Sequence, residues 1–145
     1  MVVSETNKVP EIKKQVVFDA PIEKVWKAVA TSDGIAEWFM PNDFEPIEGH
    51  QFYIKSQFET SLCKVIKINP PKELTFSWGE FGWEVSFLLE AIEERTSFTL
   101  IHSGWGEPDE TIPGQSRTYL TTRNIMNNGW DKLVDNGLRK VVEEE

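Results

Sequence analysis

Three segments late in the chain alternate apolar and polar side chains with a period of two, and that pattern limits the folds available. In 73–78, Leu74, Phe76 and Trp78 share one parity, and Thr75 and Ser77 share the other. In 83–93, Val85, Phe87 and Leu89 oppose Glu84, Ser86 and Glu90. In 96–102, Phe98, Leu100 and His102 oppose Ser97 and Thr99. Successive side chains of a strand point to opposite faces, so these segments predict an antiparallel sheet with one covered face and one mostly wet face. The covered face needs a second layer to bury it.

Turn chemistry divides the rest. Strands are expected at Phe44–Glu45, Gln51–Ser56, Leu62–Ile68, Glu73–Trp78, Trp83–Glu93 and Thr96–His102, a meander of six. Glu48-Gly49, Asn69-Pro70-Pro71, Gly79-Glu80-Phe81-Gly82 and Glu93-Glu94-Arg95 separate them. Pro46 keeps the first short or at an edge. Upstream, Ile12, Lys14, Val16 and Phe18 share a parity and predict a further strand ending near Asp19. Pro21 sits where a helix starts, with Ile22, Val25, Trp26 and Val29 as its apolar stripe. Thr31-Ser32-Asp33-Gly34 breaks that helix and caps a second, short one ending near Trp38.

The second layer comes from the C-terminus. Arg117 to about Val142 predicts a long helix with Met126, Trp130, Leu133, Val134, Gly137, Leu138 and Val141 near one face. Its basic residues outnumber Asp131 and Asp135, whereas the rest of the chain is acidic. Before it, Gly104, Gly106, Pro108, Pro113 and Gly114 with Glu107, Asp109 and Glu110 mark an acidic loop.

Size and charge narrow the function. The 145 residues predict a loose tail over 1–10 and a single domain over 11–145. A formal charge of −9 argues against nucleic acid and anionic membrane as partners, because both require basic patches. Cys63 alone excludes an internal disulfide framework and fits a reducing compartment. His50, His102 and Cys63 are too few for a Cys/His zinc site, so no metal and no cofactor are expected. No signal-like apolar stretch opens the chain and no window approaches the roughly 18 apolar residues of a membrane span. A soluble, cytoplasmic protein is the expectation.

The order β, α, α, meander, long α is an α+β arrangement, and periodicity alone admits more than one such fold. The residues themselves go further. Val17-Phe18-Asp19-Ala20-Pro21-Ile22-Glu23-Lys24-Val25-Trp26-Lys27-Ala28 resembles the opening of bacterial homologues of the activator of the heat-shock protein 90 ATPase. Glu37-Trp38-Phe39, Asn69-Pro70-Pro71-Lys72-Glu73-Leu74-Thr75-Phe76-Ser77-Trp78, Thr99-Leu100-Ile101-His102-Ser103-Gly104-Trp105 and Gly129-Trp130 resemble later family signatures, in family order. The resemblance runs from about residue 12 to residue 142. It implies the START-like, helix-grip fold: a curved antiparallel sheet wrapped around a long C-terminal helix, with two short helices after the first strand. It also implies a cavity between sheet and helix that takes a hydrophobic small molecule. A minority of the superfamily are cyclases or oxygenase domains. The eukaryotic activator carries an additional N-terminal domain for which these residues leave no room.

On that reading, Trp38, Phe39, Phe76, Trp78, Phe87, His102, Trp105, Met126 and Trp130 surround the space between sheet and helix. Six Trp and nine Phe make the chain aromatic-rich. They either wall a cavity or fill it, since interiors close-pack. Walls of Trp predict a flat, partly aromatic ligand rather than an acyl chain. Trp26 is expected in the core. His102 is expected inward, bonded either to a ligand carbonyl or hydroxyl or to the protein, and His50 is expected exposed. Cys63 on its strand is expected buried and inert. Trp105 and its loop are read either as a lid or as a plain connection. No acid pair shares a face, so no catalytic residue is assigned. The leading expectation is non-catalytic binding of a planar hydrophobic molecule. The alternatives are a co-chaperone-like partner of a heat-shock protein 90 homologue in stress response and a polyketide cyclase or aromatase.

Overall fold

The computed structural model describes residues 9–55, 60–79, 82–112 and 116–143. Strand β1 (Ile12–Phe18) leads into helices α1 (Ile22–Val29) and α2 (Ser32–Trp38). Strands β2 (Gln51–Lys55), β3 (Thr60–Asn69), β4 (Glu73–Trp78), β5 (Trp83–Ile92) and β6 (Arg95–Ser103) follow. All six form one antiparallel sheet in the order β1-β6-β5-β4-β3-β2. The expected tail is described only from Val9, which is buried and donates its N–H to the Gly106 carbonyl at 2.9 Å. Ser56, Glu80, Phe81, Pro113 and Gly114, named in the expectations above, lie outside the described residues.

The meander has five strands, not six. Phe44–Glu45 is no strand: Phe44 is buried, and Asn42 makes one isolated bridge to Ile54. Side chains satisfy the backbone there instead of a ladder. Asn42 Oδ1 accepts from the Phe44 N–H at 2.9 Å, and Asp43 Oδ1 accepts from the Tyr53 N–H at 2.6 Å.

The expected parities face the core. Leu74, Phe76, Val85, Phe87, Leu89, Phe98, Leu100 and His102 are all buried on one side. β3 changes parity midway: a bulge between Val65 and Lys67 leaves Ile66 outside and turns Ile68 toward the core. The outer face is less wet than expected. Thr75, Ser97 and Thr99 are buried there, because short side chains on inner strands lie below their neighbours. Thr75 and Ser86 hydroxyls bond each other at 2.8 Å.

Thr31 caps α2, its hydroxyl accepting from the Gly34 N–H at 3.0 Å. Trp26 departs from expectation: it is only partly buried, at the margin of the core. His50 is also intermediate, with a ring nitrogen 3.3 Å from the Asp43 carbonyl.

The C-terminal helix starts two residues later than expected, because Thr118 is its cap and accepts from the Thr121 N–H at 3.2 Å. It comprises α3 (Tyr119–Lys132), a π-helical segment (Leu133–Leu138) and α4 (Arg139–Glu143) without a break. Trp130, Val134, Leu138 and Val142 are fully or nearly fully buried, and they recur every four residues. In a pure α-helix each such step drifts by roughly 40°. The wider π turns offset that drift and keep one line of side chains on the sheet.

Three helix side chains, Arg123, Asp131 and Arg139, tie the helix to β1 and the residues just before it. Arg123 donates to the carbonyls of Pro10 and Glu11, both at 3.2 Å, and Arg139 donates to the Val17 carbonyl at 3.3 Å. Lys14 has core-side parity yet stays polar by reaching Asp131 at 2.7 Å.

Candidate functional site

The nine residues singled out from sequence come from every layer. β4 supplies Phe76 and Trp78, β5 supplies Phe87, and β6 supplies His102. Trp38 ends α2 and Phe39 caps it, while α3 supplies Met126 and Trp130. Trp105 follows β6. Among them, the eight ring residues form a continuous set of ring contacts. Phe39 stacks on Trp130 at 5.2 Å and 26°, and sets its edge on Trp78 at 5.7 Å. Trp38 links Phe39 to Phe87, and Phe87 reaches Phe76. Trp78 stacks on His102 at 5.6 Å, and Trp105 lies 4.6 Å from His102. Offset and edge-to-face pairs at these spacings each add about 0.5–1.5 kcal/mol beyond burial. Met126 is partly buried against the same core.

Two glycines shape this arrangement. Gly104 has φ 97° and packs on the backbone of Gly82 and Trp83, where any Cβ collides with the Gly82 carbonyl oxygen. This turn folds the chain back so that Trp105 lands on His102 and Trp83, at 4.9 Å from the latter. Gly137 in the π segment lets the helix approach the Trp38 backbone, with the carbonyl oxygen 3.3 Å from a Cβ position.

The indole N–H groups are mostly spent inside the protein. Trp38 donates to the Ala28 carbonyl at 2.9 Å and so locks α2 to α1. Trp105 donates to the His102 carbonyl at 3.0 Å, and Trp130 donates to His102 Nδ1 at 3.1 Å. These three indole donors are therefore not available to a ligand.

His102 is the titratable group of this cluster. It is fully buried, and burial lowers its pKa to about 3. The rings around it offer no opposite charge, so it stays neutral at physiological pH. The Trp130 bond fills Nδ1, whereas Nε2 has no partner among the described residues. Burial pushes the Cys63 thiol up to about 12, against a smaller opposing effect of the Gly79 backbone, and makes it inert as expected. Among the described residues no group of three His, Cys, Asp or Glu clusters to hold a metal.

Two residues of the cluster escaped sequence reading. Trp83 touches Trp78 at 5.8 Å and His102 at 5.2 Å, and its buried Nε1 has no partner among the described residues. It shares the parity of Val85 and Phe87, and that was the available signal. Thr122 is buried with a hydroxyl that has no partner among the described residues, one and two four-residue steps before Met126 and Trp130 on α3. Its polarity hid it.

An antiparallel sheet holding a long helix over a cluster of rings defines a helix-grip, START-like protein. The chain belongs to the family described as activator of Hsp90 ATPase homolog 1-like protein, which it matches over residues 19–143. It is similar to the solved protein BH1534 of Bacillus halodurans, with 43% identity and a TM-score of 0.89, covering 94% of this chain and 99% of that one. The Aha1 dimer from Colwellia psychrerythraea is 21% identical with a TM-score of 0.75, covering 94% and 98%. CalU16 from Micromonospora echinospora is 23% identical with a TM-score of 0.70, covering 90% and 72%. The latter two show the shared fold. No curated protein matches the chain. No helix among the described residues is long and apolar enough to cross a membrane.

Proposed function

We propose that this protein binds a flat, hydrophobic, partly aromatic small molecule between its sheet and its C-terminal helix, without making or breaking bonds. The observation that carries this reading is the placement of Phe39. Its ring is partly exposed, stacks on Trp130 and sets its edge on Trp78. A planar ligand ring that displaced Phe39 would meet the same stacking face and the same edge, with His102 beyond them. Trp38, Phe76, Phe87, Met126 and Trp105 complete the wall of that space. The role is sequestration or presentation in the cytoplasm.

Titration of flavanone, cholesterol and palmitate against tryptophan fluorescence tests the reading. Saturable quenching by flavanone is expected. Saturation by palmitate alone rejects it.

The family description favours a second reading, contact with a chaperone of the heat-shock protein 90 class. Stimulation of the chaperone ATPase by this chain alone would establish it. Fold likeness to DynU16, a protein in the dynemicin biosynthetic locus, favours a third, a polyketide cyclase or aromatase. Turnover lost in His102→Ala would establish that.

A further inference from the structure

The ring cluster leaves over two buried donors. Trp130 donates its N–H to His102 Nδ1, so that nitrogen carries no proton, and the neutral imidazole holds its proton on Nε2. His102 Nε2–H and Trp83 Nε1–H both lack partners among the described residues. Their rings meet edge to face at 5.2 Å. Trp105 touches both rings, at 4.6 Å from His102 and 4.9 Å from Trp83, and shields them from solvent. Buried polar groups in folded proteins almost always find partners, so a pair of adjacent unpaired donors calls for a missing acceptor.

We propose that His102 Nε2–H and Trp83 Nε1–H jointly hold one acceptor oxygen, the carbonyl of a flat ketone, and that Trp83 belongs to the ligand site. Two donors with no acceptor among the described residues select the chemistry. A carbonyl oxygen offers two lone pairs and no proton of its own. A hydroxyl that accepted both bonds would still have to place its own proton among aromatic faces. This inference rests on the reading that a planar molecule enters the ring cluster, and it adds the functional group that such a molecule must carry.

Flavanone and flavan provide the test, because they share their rings and differ by a carbonyl in place of a methylene. Their affinities are measured by tryptophan fluorescence, and the indole and imidazole nitrogens are followed by ¹H–¹⁵N spectra. Flavanone is expected to bind about tenfold or more tightly than flavan, the usual worth of two neutral hydrogen bonds. Trp83→Phe is expected to bring the two ligands to near parity while flavan binding persists. The Trp83 indole proton and His102 Nε2 are expected to shift with flavanone and not with flavan. Equal affinities in the wild type overturn the donor pair and leave the planar-ligand reading standing. So does a preference that survives Trp83→Phe, or an ordered water on both donors that stays when flavanone is bound. If neither compound binds, the planar-ligand reading fails and takes this inference with it. Should Trp83→Phe not fold, the wild-type affinities and spectra decide alone.

Discussion

Acid should destabilise this protein through one histidine, and the size of the effect follows from where His102 sits. In the unfolded chain His102 titrates near the ordinary 6.5, and in the folded chain near 3. Between those values the unfolded state binds one proton more, so stability falls as the pH falls through that window. The slope is at most about 1.4 kcal/mol per pH unit. Integrated from pH 7, the loss is about 2 kcal/mol at pH 5 and about 3 kcal/mol at pH 4. Acid acts on more than one group of a protein, so the measurement must be differential. His102→Gln keeps an oxygen that can accept from Trp130 and removes the titration. Urea unfolding of both proteins at pH 7, 6 and 5 gives the stability difference at each pH. The wild-type advantage is expected to shrink by about 2 kcal/mol between pH 7 and pH 5, a visible share of the roughly 5–15 kcal/mol typical of a domain. Parallel losses in the two proteins would refute the argument, since they would mean that the folded state protonates His102 as readily as the unfolded one.

Further outcomes follow from the same geometry. Trp130→Phe leaves Nδ1 of His102 without its donor and is expected to cost about 1–3 kcal/mol, with ¹⁵N shifts of the imidazole reporting loss of the single tautomer. Gly104→Ala forces a side chain onto the Gly82 carbonyl at positive φ, and is expected to cost about 1–3 kcal/mol in urea unfolding, with a changed Trp105 indole resonance. Cys63 is expected to resist thiol reagents at neutral pH until the chain unfolds, so labelling that runs ahead of unfolding would contradict its burial. Phe39→Ala is expected to tighten flavanone binding while lowering stability by about 1–2 kcal/mol, because a partly exposed ring gives less than full core burial. Weaker binding in this variant would show that Phe39 serves the ligand rather than occupying its place.

The sheet was legible because its side chains alternate locally. Leu74 through Trp78, Val85 through Leu89 and Phe98 through His102 needed only a period of two to place them inward. Phe44 failed because a buried aromatic beside a proline looks like a strand end, while the deciding bonds come from Asn42 and Asp43 side chains. The π segment was invisible for a related reason. Its residues, Leu-Val-Asp-Asn-Gly-Leu, carry no signal that separates a π turn from an α turn, and only the strict four-residue recurrence of Trp130, Val134, Leu138 and Val142 hints at wider turns. The family resemblance grouped rings that do touch one another in the fold. The proton position on His102 was out of reach, since it depends on Trp130 from a distant helix. Trp83 could have been found by carrying the parity of β5 back by one step.

The two outer strands of the sheet have a consequence for assembly. An open sheet presents unpaired backbone groups along both rims, and those groups can recruit a strand from another molecule. Here each rim is covered in part. At β1, Arg139 reaches from the helix to the Val17 carbonyl, Arg123 binds the carbonyls of Pro10 and Glu11 just before the strand, and Glu143 takes the Asp19 N–H just after it at 2.8 Å. Along β2, the Lys55 N–H is bound by the Pro41 carbonyl at 2.9 Å and the Tyr53 N–H by Asp43. The helix that grips the core thus also works as a guard rail against strand addition. A strand added at the end of β1 first has to displace Arg139 from the Val17 carbonyl.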